Sequence, residues 1–262
     1  MNRVKTIIKK EWAEVFKNRM VLFTIIFIPL VFAALPLIML GVGGAFEVDD
    51  FTSEMPEQFT QMCGAGLTGG ECFQVYMVSQ FMLLFMLTPL IIPINIAAYS
   101  IVGEKTNRSL EPLLATPITT TELLIGKNLA AVIPAVLATW GGFLIYVVGS
   151  AIIVKSVDVM RALLDPMWLM AVILLGPLLA ILSVNFAIMV SSRVTDPRAA
   201  EQISAVIILP VLLIFFAQIA GLFFINSTLI LFMAIALLII DSIMVYLAVR
   251  MFQRESILTR WK

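Results

Sequence analysis

The sequence contains no histidine, and that absence excludes much of intramembrane chemistry. A zinc protease in the bilayer needs a His-Glu-x-x-His helix, a rhomboid-type serine protease needs a Ser-His pair, and most membrane haem sites need an axial imidazole. None can be built from these residues. An aspartyl membrane protease needs two facing intramembrane carboxylates, and only Asp241 lies inside an apolar run. Phosphate-loop chemistry is missing as well, because no Gly-x-x-x-x-Gly-Lys-Ser/Thr occurs. A Gly-x-Gly-x-x-Gly match at Gly64, Gly66 and Gly69 stands between two cysteines, with no strand before it and no βαβ unit around it. Without that mechanical context it reads as flexible loop glycine.

Charge is scarce too, at 13% of residues against 61% hydrophobic. It is absent altogether from Met20 to Phe46, Cys72 to Gly103, Asn128 to Val154, Pro166 to Ser192 and Gln202 to Ile240. A hydrocarbon core about 30 Å thick takes roughly 20 helical residues to cross. Each of the first four runs therefore makes one span. The fifth is nearly twice as long and carries a polar break at Asn226-Ser227-Thr228, which predicts two spans joined by a tight hairpin. The runs lack the alternation of a membrane barrel. The expected fold is an all-α membrane protein with six transmembrane helices.

Basic residues are distributed by side. The loop from Glu47 to Glu71 contains six acidic residues (Glu47, Asp49, Asp50, Glu54, Glu57, Glu71) and no basic one. When loops are assigned to alternate sides, all but Lys155 and Arg161 of the 17 Lys and Arg fall on one side. The positive-inside rule makes that side, with both termini, cytoplasmic. The expected location is the cell (plasma) membrane. The acidic outer loop could gather cations, although the same rule already keeps Lys and Arg out of it. Two cysteines, Cys63 and Cys72, fall on this outer side, where an oxidising compartment would let them close a small disulfide loop or leave them as thiols.

Three parts follow: residues 1–19, residues 20–249 with an outer loop at 47–72 and a cytoplasmic loop at 104–127, and a cytoplasmic tail at 250–262. In the first, Val4, Ile7, Ile8, Trp12, Val15 and Phe16 recur at helical spacing, with lysines and acids opposite. Such an amphipathic helix lies in the interface with Trp12 near headgroup level, as an anchor or as a lever that feels a cytoplasmic partner. The leader is too long and too mixed in charge for a cleaved signal peptide.

Pro89 and Pro93 favour a kink in the second span, with Asn95 just beyond it, lining a pathway or sitting in a packed bend. Gly141, Gly142 and Gly149 permit close approach of the third span to a neighbour. Thr119-Thr-Thr-Glu122 matches a capping box that starts a helix. Asn185 and Gln218 lie at depth in the fourth and fifth spans and are, with Asn95 and Asp241, the candidates to line a pathway. Asp241, about 13 Å from Arg250 at 1.5 Å per residue, lies deep in the sixth. A carboxylate there costs roughly 2.5–3.5 kcal/mol, so it serves a pathway or is bonded to a polar group on a neighbouring helix.

The polar island Gly103-Glu-Lys-Thr-Asn-Arg-Ser-Leu-Glu-Pro-Leu-Leu-Ala-Thr-Pro117, continuing to Thr121-Glu-Leu-Leu-Ile-Gly-Lys127, resembles the Gly-Glu-Lys, Leu-Glu-x-Leu-Leu, Pro and Glu-Leu-Leu-x-Gly-Lys pattern of the membrane subunit of ABC-2 type transporters, a group that includes sodium- and drug-export systems. Ser191-Ser-Arg-Val-Thr-Asp-Pro-Arg-Ala-Ala-Glu-Gln202 is similar to that family's loop between spans 4 and 5. The resemblance covers nearly the whole chain and implies an ABC-2, type V exporter-like permease fold.

It further implies a coupling helix between spans 2 and 3 that docks on an ABC ATPase subunit through Glu104, Lys105, Arg108, Leu110, Glu111, Leu113, Leu114 and Thr116. Secondary contacts would come from Trp12, Arg193, Asp196, Arg198 and Glu201. ATP and Mg are expected on that partner, with no cofactor bound by this chain. A second permease copy or a paralogue and membrane lipids are the other expected partners, and nucleic acid is not one. The region between spans 5 and 6, where family members often carry re-entrant outer helices, is short, so any outer gate is abbreviated. Rival functions are an ion-coupled secondary transporter using Asp241 and a non-transporting membrane anchor. Against the former, intramembrane ionisable residues are few and no inverted repeat is evident.

Overall fold

The computed structural model describes residues 2–43, 69–106, 118–222 and 225–251. Among them every regular element is helical. Six helices are long and apolar enough to cross a membrane: Arg19–Gly41, Gly70–Glu104, Thr120–Ile153, Val157–Arg193, Pro197–Ile219 and Ser227–Met251. These are spans 1 to 6. A leader helix, Asn2–Val15, precedes them and turns into span 1 at Phe16 to Asn18. The expected six-span plan with a helical leader is what the chain forms.

Span 2 is the hub. In its most apolar stretch 83% of residues are buried, against 11% in span 5 and 17% in span 6. Two storeys of core surround it. One contains Val78, Phe85 and Leu90 with Tyr146, Trp168 and Val172. The other contains Ile96 and Ile101 with Val15, Val21, Leu124, Ala131 and Val184. The junction lies at the prolines: span 2 is two helices, Gly69–Phe85 and Thr88–Thr106, with Pro89 opening the second and Pro93 inside it. Proline supplies no N–H and clashes with the preceding turn, so the expected kink is realised as a break.

Span 3 begins on a complete capping box. Glu122 N–H donates to Thr119 Oγ1 (3.2 Å), while the Glu122 carboxylate accepts from Thr119 N–H (2.9 Å). Satisfying two free donors at the first turn starts a helix that runs unbroken to Ile153. Its glycines divide by direction. A Cβ on Gly142 would lie 2.8 Å from Pro29 Cβ of span 1, and one on Gly149 would meet the side-chain end of Leu37, whereas Gly141 faces open space. Two of the three glycines therefore hold spans 1 and 3 together, since backbones approach this closely only without side chains.

Span 4 opens with a short helix, Val157–Leu163, and widens further on into a π segment at Ala171–Leu175. Trp140 Nε1 donates to the Val172 carbonyl in that segment at 3.3 Å. Spans 5 and 6 are separate helices, as the polar break predicts. Span 5 ends at Ile219, Gly221 takes a φ of 69° that side chains resist, and the Leu222 N–H returns to the Ala217 carbonyl (3.0 Å). Asn226 Oδ1 accepts from the Leu229 N–H (2.8 Å) and so starts span 6.

Candidate functional site: a buried ionic lock at the leader end

The leader helix packs across the end of span 2 and the start of span 3. Ile7, Glu11 and Val15 are its buried residues, at successive four-residue steps on one face. Gly126 of span 3 lets Ile7 approach so closely that a Cβ there would lie 2.7 Å from Ile7 Cγ2. Trp12 Nε1 donates to the Ala130 carbonyl of span 3 at 3.0 Å. Trp12 thus fastens the leader to the bundle.

Glu11 occupies the middle of an otherwise apolar stripe, and so does Lys127 between Leu124 and Ala131. They meet each other. Lys127 Nζ stands 2.9 Å from Glu11 Oε1 and 2.9 Å from Glu104 Oε2, and it donates to Ser100 Oγ at 2.7 Å. Ser100 Oγ in turn donates to Glu11 Oε2 at 2.6 Å. Lys10 reaches Glu104 Oε1 from the rim and also stands near Glu11 (3.7 Å) and Glu14 (3.6 Å). The side chains of Lys127, Glu11 and Glu104 are 4%, 3% and 5% exposed, so the charges are withdrawn from water and must be matched within the protein. Two cations, Lys10 and Lys127, balance two carboxylates, Glu11 and Glu104.

Lys10 lies in the leader, outside the spans, and its pKa is raised above 10.5. Burial works against its charge, but the Glu104 hydrogen bond and charge, with Glu11 and Glu14, outweigh burial. Its contribution to stability is therefore fully present below the ordinary lysine value and is lost only as pH rises through the raised one.

The residues expected to touch a cytoplasmic partner separate on this frame. Glu104 faces inward, as a member of the lock. Lys105 lies on the last turn of the second span-2 helix. Arg108, Leu110, Glu111, Leu113, Leu114 and Thr116 fall outside the described residues. Arg193 and Arg198 are exposed and Glu201 is half-buried. Asp196 is committed to capping, since its Oδ1 accepts from the Arg198 N–H (2.8 Å) at the start of helix Pro197–Ser204. Ala200 of that helix packs against Ala98 and Val102 of span 2, so the loop after span 4 sits beside the same end of the bundle as the lock.

The deep polar residues do not converge on one point. Asn95 Nδ2 donates to its own helix at the Ile91 carbonyl (3.1 Å). Asn185 accepts from Asn128 Nδ2 (2.8 Å) and donates to the Ile181 carbonyl (3.0 Å). Gln218 is buried, with Oε1 lacking a hydrogen-bond partner. Asp241 is 5% exposed and neither carboxylate oxygen has a hydrogen-bond partner. Cys72 lies on the first turns of span 2 and is disulfide-bonded, whereas Cys63 falls outside the described residues. Among the described residues no group of three or more His, Cys, Asp or Glu is placed to hold a metal ion.

Sequence patterning does not single out Lys10, Glu11 or Ser100, and Lys127 enters it only as the last residue of the family-like segment that begins at Thr121. The available signal was a charge inside an apolar stripe, Glu11 between Ile7 and Val15 and Lys127 between Leu124 and Ala131. Periodicity marks such a residue as buried but does not say which helix supplies its counter-charge.

Six apolar spans gathered around a kinked hub, with an amphipathic helix clamped to one end, define a multi-pass membrane protein. The family model for ABC-2 family transporter proteins matches residues 5–249, and the chain belongs to that family. No curated protein matches the chain significantly.

Proposed function

We propose that the chain is the permease subunit of an ATP-driven exporter in the cell membrane, with both termini cytoplasmic. It works with a second copy or a paralogue and with separate ATPase subunits that bind ATP and Mg. The observation that carries this reading is the ionic lock. Segment 107–117 connects span 2, which carries Glu104 on its last turn, to span 3, so both of its flanking helices, and the leader with them, are joined through Lys127 and Glu104. A push on that segment by an ATPase falls on three helices at once. In this reading Lys105, Arg108, Leu110, Glu111, Leu113, Leu114 and Thr116 form the docking surface, with Arg193, Arg198 and Glu201 beside it. Glu104 and Trp12 are positioning residues.

Reversing a docking charge separates contact from folding. Arg108→Glu and Glu111→Lys are each expected to weaken ATPase binding by about tenfold, the equivalent of about 1.4 kcal/mol, with insertion and monodispersity unchanged. Pull-down of the ATPase with the purified permease reads this directly. Undiminished capture and normal transport by both variants would place the docking surface elsewhere.

The unpartnered burial of Asp241 favours a second reading, ion-coupled transport. The two differ in a single variant. For an ATP-driven permease, Asp241→Asn retains at least about half of the ATP-dependent uptake into inverted vesicles, because the amide preserves shape and removes only a costly carboxylate. Transport that runs without ATP and is abolished by Asp241→Asn would establish the ion-coupled reading instead.

A further inference from the structure

A cleft of about 250 Å³ runs between spans 3, 4 and 6 at the leader end of the bundle. Its span-3 wall extends from Thr121 to Val132, which at 1.5 Å per residue is about 16 Å along the helix. One leaflet of a hydrocarbon core about 30 Å thick has nearly the same depth. The lining is almost wholly apolar, and two of its residues, Ile125 and Leu129, are 44% and 38% exposed on the outer surface of span 3, so the cleft opens sideways toward lipid. Its polar members are Thr121, exposed at the rim, and Asn128 and Asn185, which hydrogen-bond to each other, so that Asn128 Oδ1 is the one buried polar atom of the lining without a partner. One acceptor is too little to hold a sugar, a peptide or an ion. The volume also falls below the roughly 300–1,000 Å³ of pockets that enclose drug-sized ligands. At the leader end, exposed Arg250 directly follows Val249 of the lining, which puts a cation one residue along span 6 from the cleft, outside its lining, where it can attract a phosphate headgroup.

We infer that this cleft is a resident lipid site, which seats one acyl chain of a phospholipid from the leaflet on the leader side, with the headgroup phosphate near Arg250. The inference does not depend on ATP coupling or on the identity of the exported substrate. Filling the cleft gives Leu124, Val132 and Ile181 a packing partner and braces span 6 against spans 3 and 4.

The full-length permease, reconstituted in vesicles of phosphatidylcholine and phosphatidylglycerol doped with a phospholipid bearing a mid-chain diazirine, is irradiated and its adducts are mapped by mass spectrometry. Labelling at Val132, Ile181 and Val249 is expected to exceed that at Leu137 and Leu144 by at least fivefold. Those two residues are 59% and 66% exposed on span 3 beyond the cleft and report bulk lipid. Leu129→Phe, at a partly exposed position that tolerates added volume, is expected to obstruct the cleft mouth and bring labelling down to the bulk level. Ala248→Phe is a second block, chosen from the buried wall. Cleft labelling no higher than at Leu137 and Leu144 would overturn the site, as would labelling indifferent to both blocks in monodisperse protein. Cross-links joining the cleft residues to a second copy of the chain would overturn it too, and would assign the cleft to an interface between copies.

Discussion

Replacing Lys127 with methionine is expected to free the leader helix from the bundle. The substitution preserves the length and apolar stem of the side chain but leaves Glu11 and Glu104 facing each other with only Lys10, on the rim, between them. Removing one partner of a buried ion pair typically costs about 3–5 kcal/mol, because the remaining charge is stranded away from water. The bundle keeps its two core storeys, so the strain is relieved where release is easiest, by lifting the leader and admitting water to the carboxylates. A spin label at exposed Lys9 is expected to change from restricted to rapid motion, and Trp12 to lose its bond to Ala130. Adding Glu11→Gln to the same chain removes one of the stranded charges and is expected to restore at least half of the restriction. An unaltered label in the single variant would show that the lock does not hold the leader.

Gly142→Leu is expected to separate spans 1 and 3, whereas Gly141→Leu, one residue away, is expected to be silent. At position 142 the new Cβ would lie 2.8 Å from Pro29 Cβ and 3.2 Å from the Pro29 carbonyl oxygen, and a proline ring on a helix backbone has no rotamer into which it can retreat. Position 141 has nothing within 4 Å. Overpacking of this kind costs about 1–3 kcal/mol. In detergent, Gly142→Leu should lower the apparent melting temperature and the monodisperse fraction, while Gly141→Leu matches the parent. Gly149→Leu should fall between them, because its neighbour is the movable end of Leu37. Equal behaviour of the two adjacent variants would mean that this contact does not set the spacing of the spans.

The fold was legible because its strongest signals are one-dimensional. Charge-free runs set the number of spans, Pro89 and Pro93 mark the break in span 2, Thr119 and Glu122 mark the start of span 3, and Asn226 with Gly221 marks the final hairpin. Each depends on residues close together in sequence. The lock was not legible in the same way. Glu11 and Lys127 are 116 positions apart, and their pairing depends on how the leader crosses span 3 at Gly126, a three-dimensional fact. Glu104 shows the limit well. Its place in a polar island suggests a surface residue, yet the last turn of span 2 rotates its carboxylate under the leader. Asp241 was legible as buried and costly, but what faces it depends on helix rotation, which a span of uniform apolarity does not encode.

Much of the force expected at segment 107–117 must pass through Glu104 and Lys127 if the lock is the transmission point. The most direct measurement compares ATP hydrolysis with substrate export in proteoliposomes containing the permease and its ATPase, for the parent and for Lys127→Met. The ATP-driven account predicts that the variant still binds the ATPase and hydrolyses ATP at near the parental rate, while export per ATP falls by at least tenfold. An unchanged ratio of export to hydrolysis in Lys127→Met would contradict it.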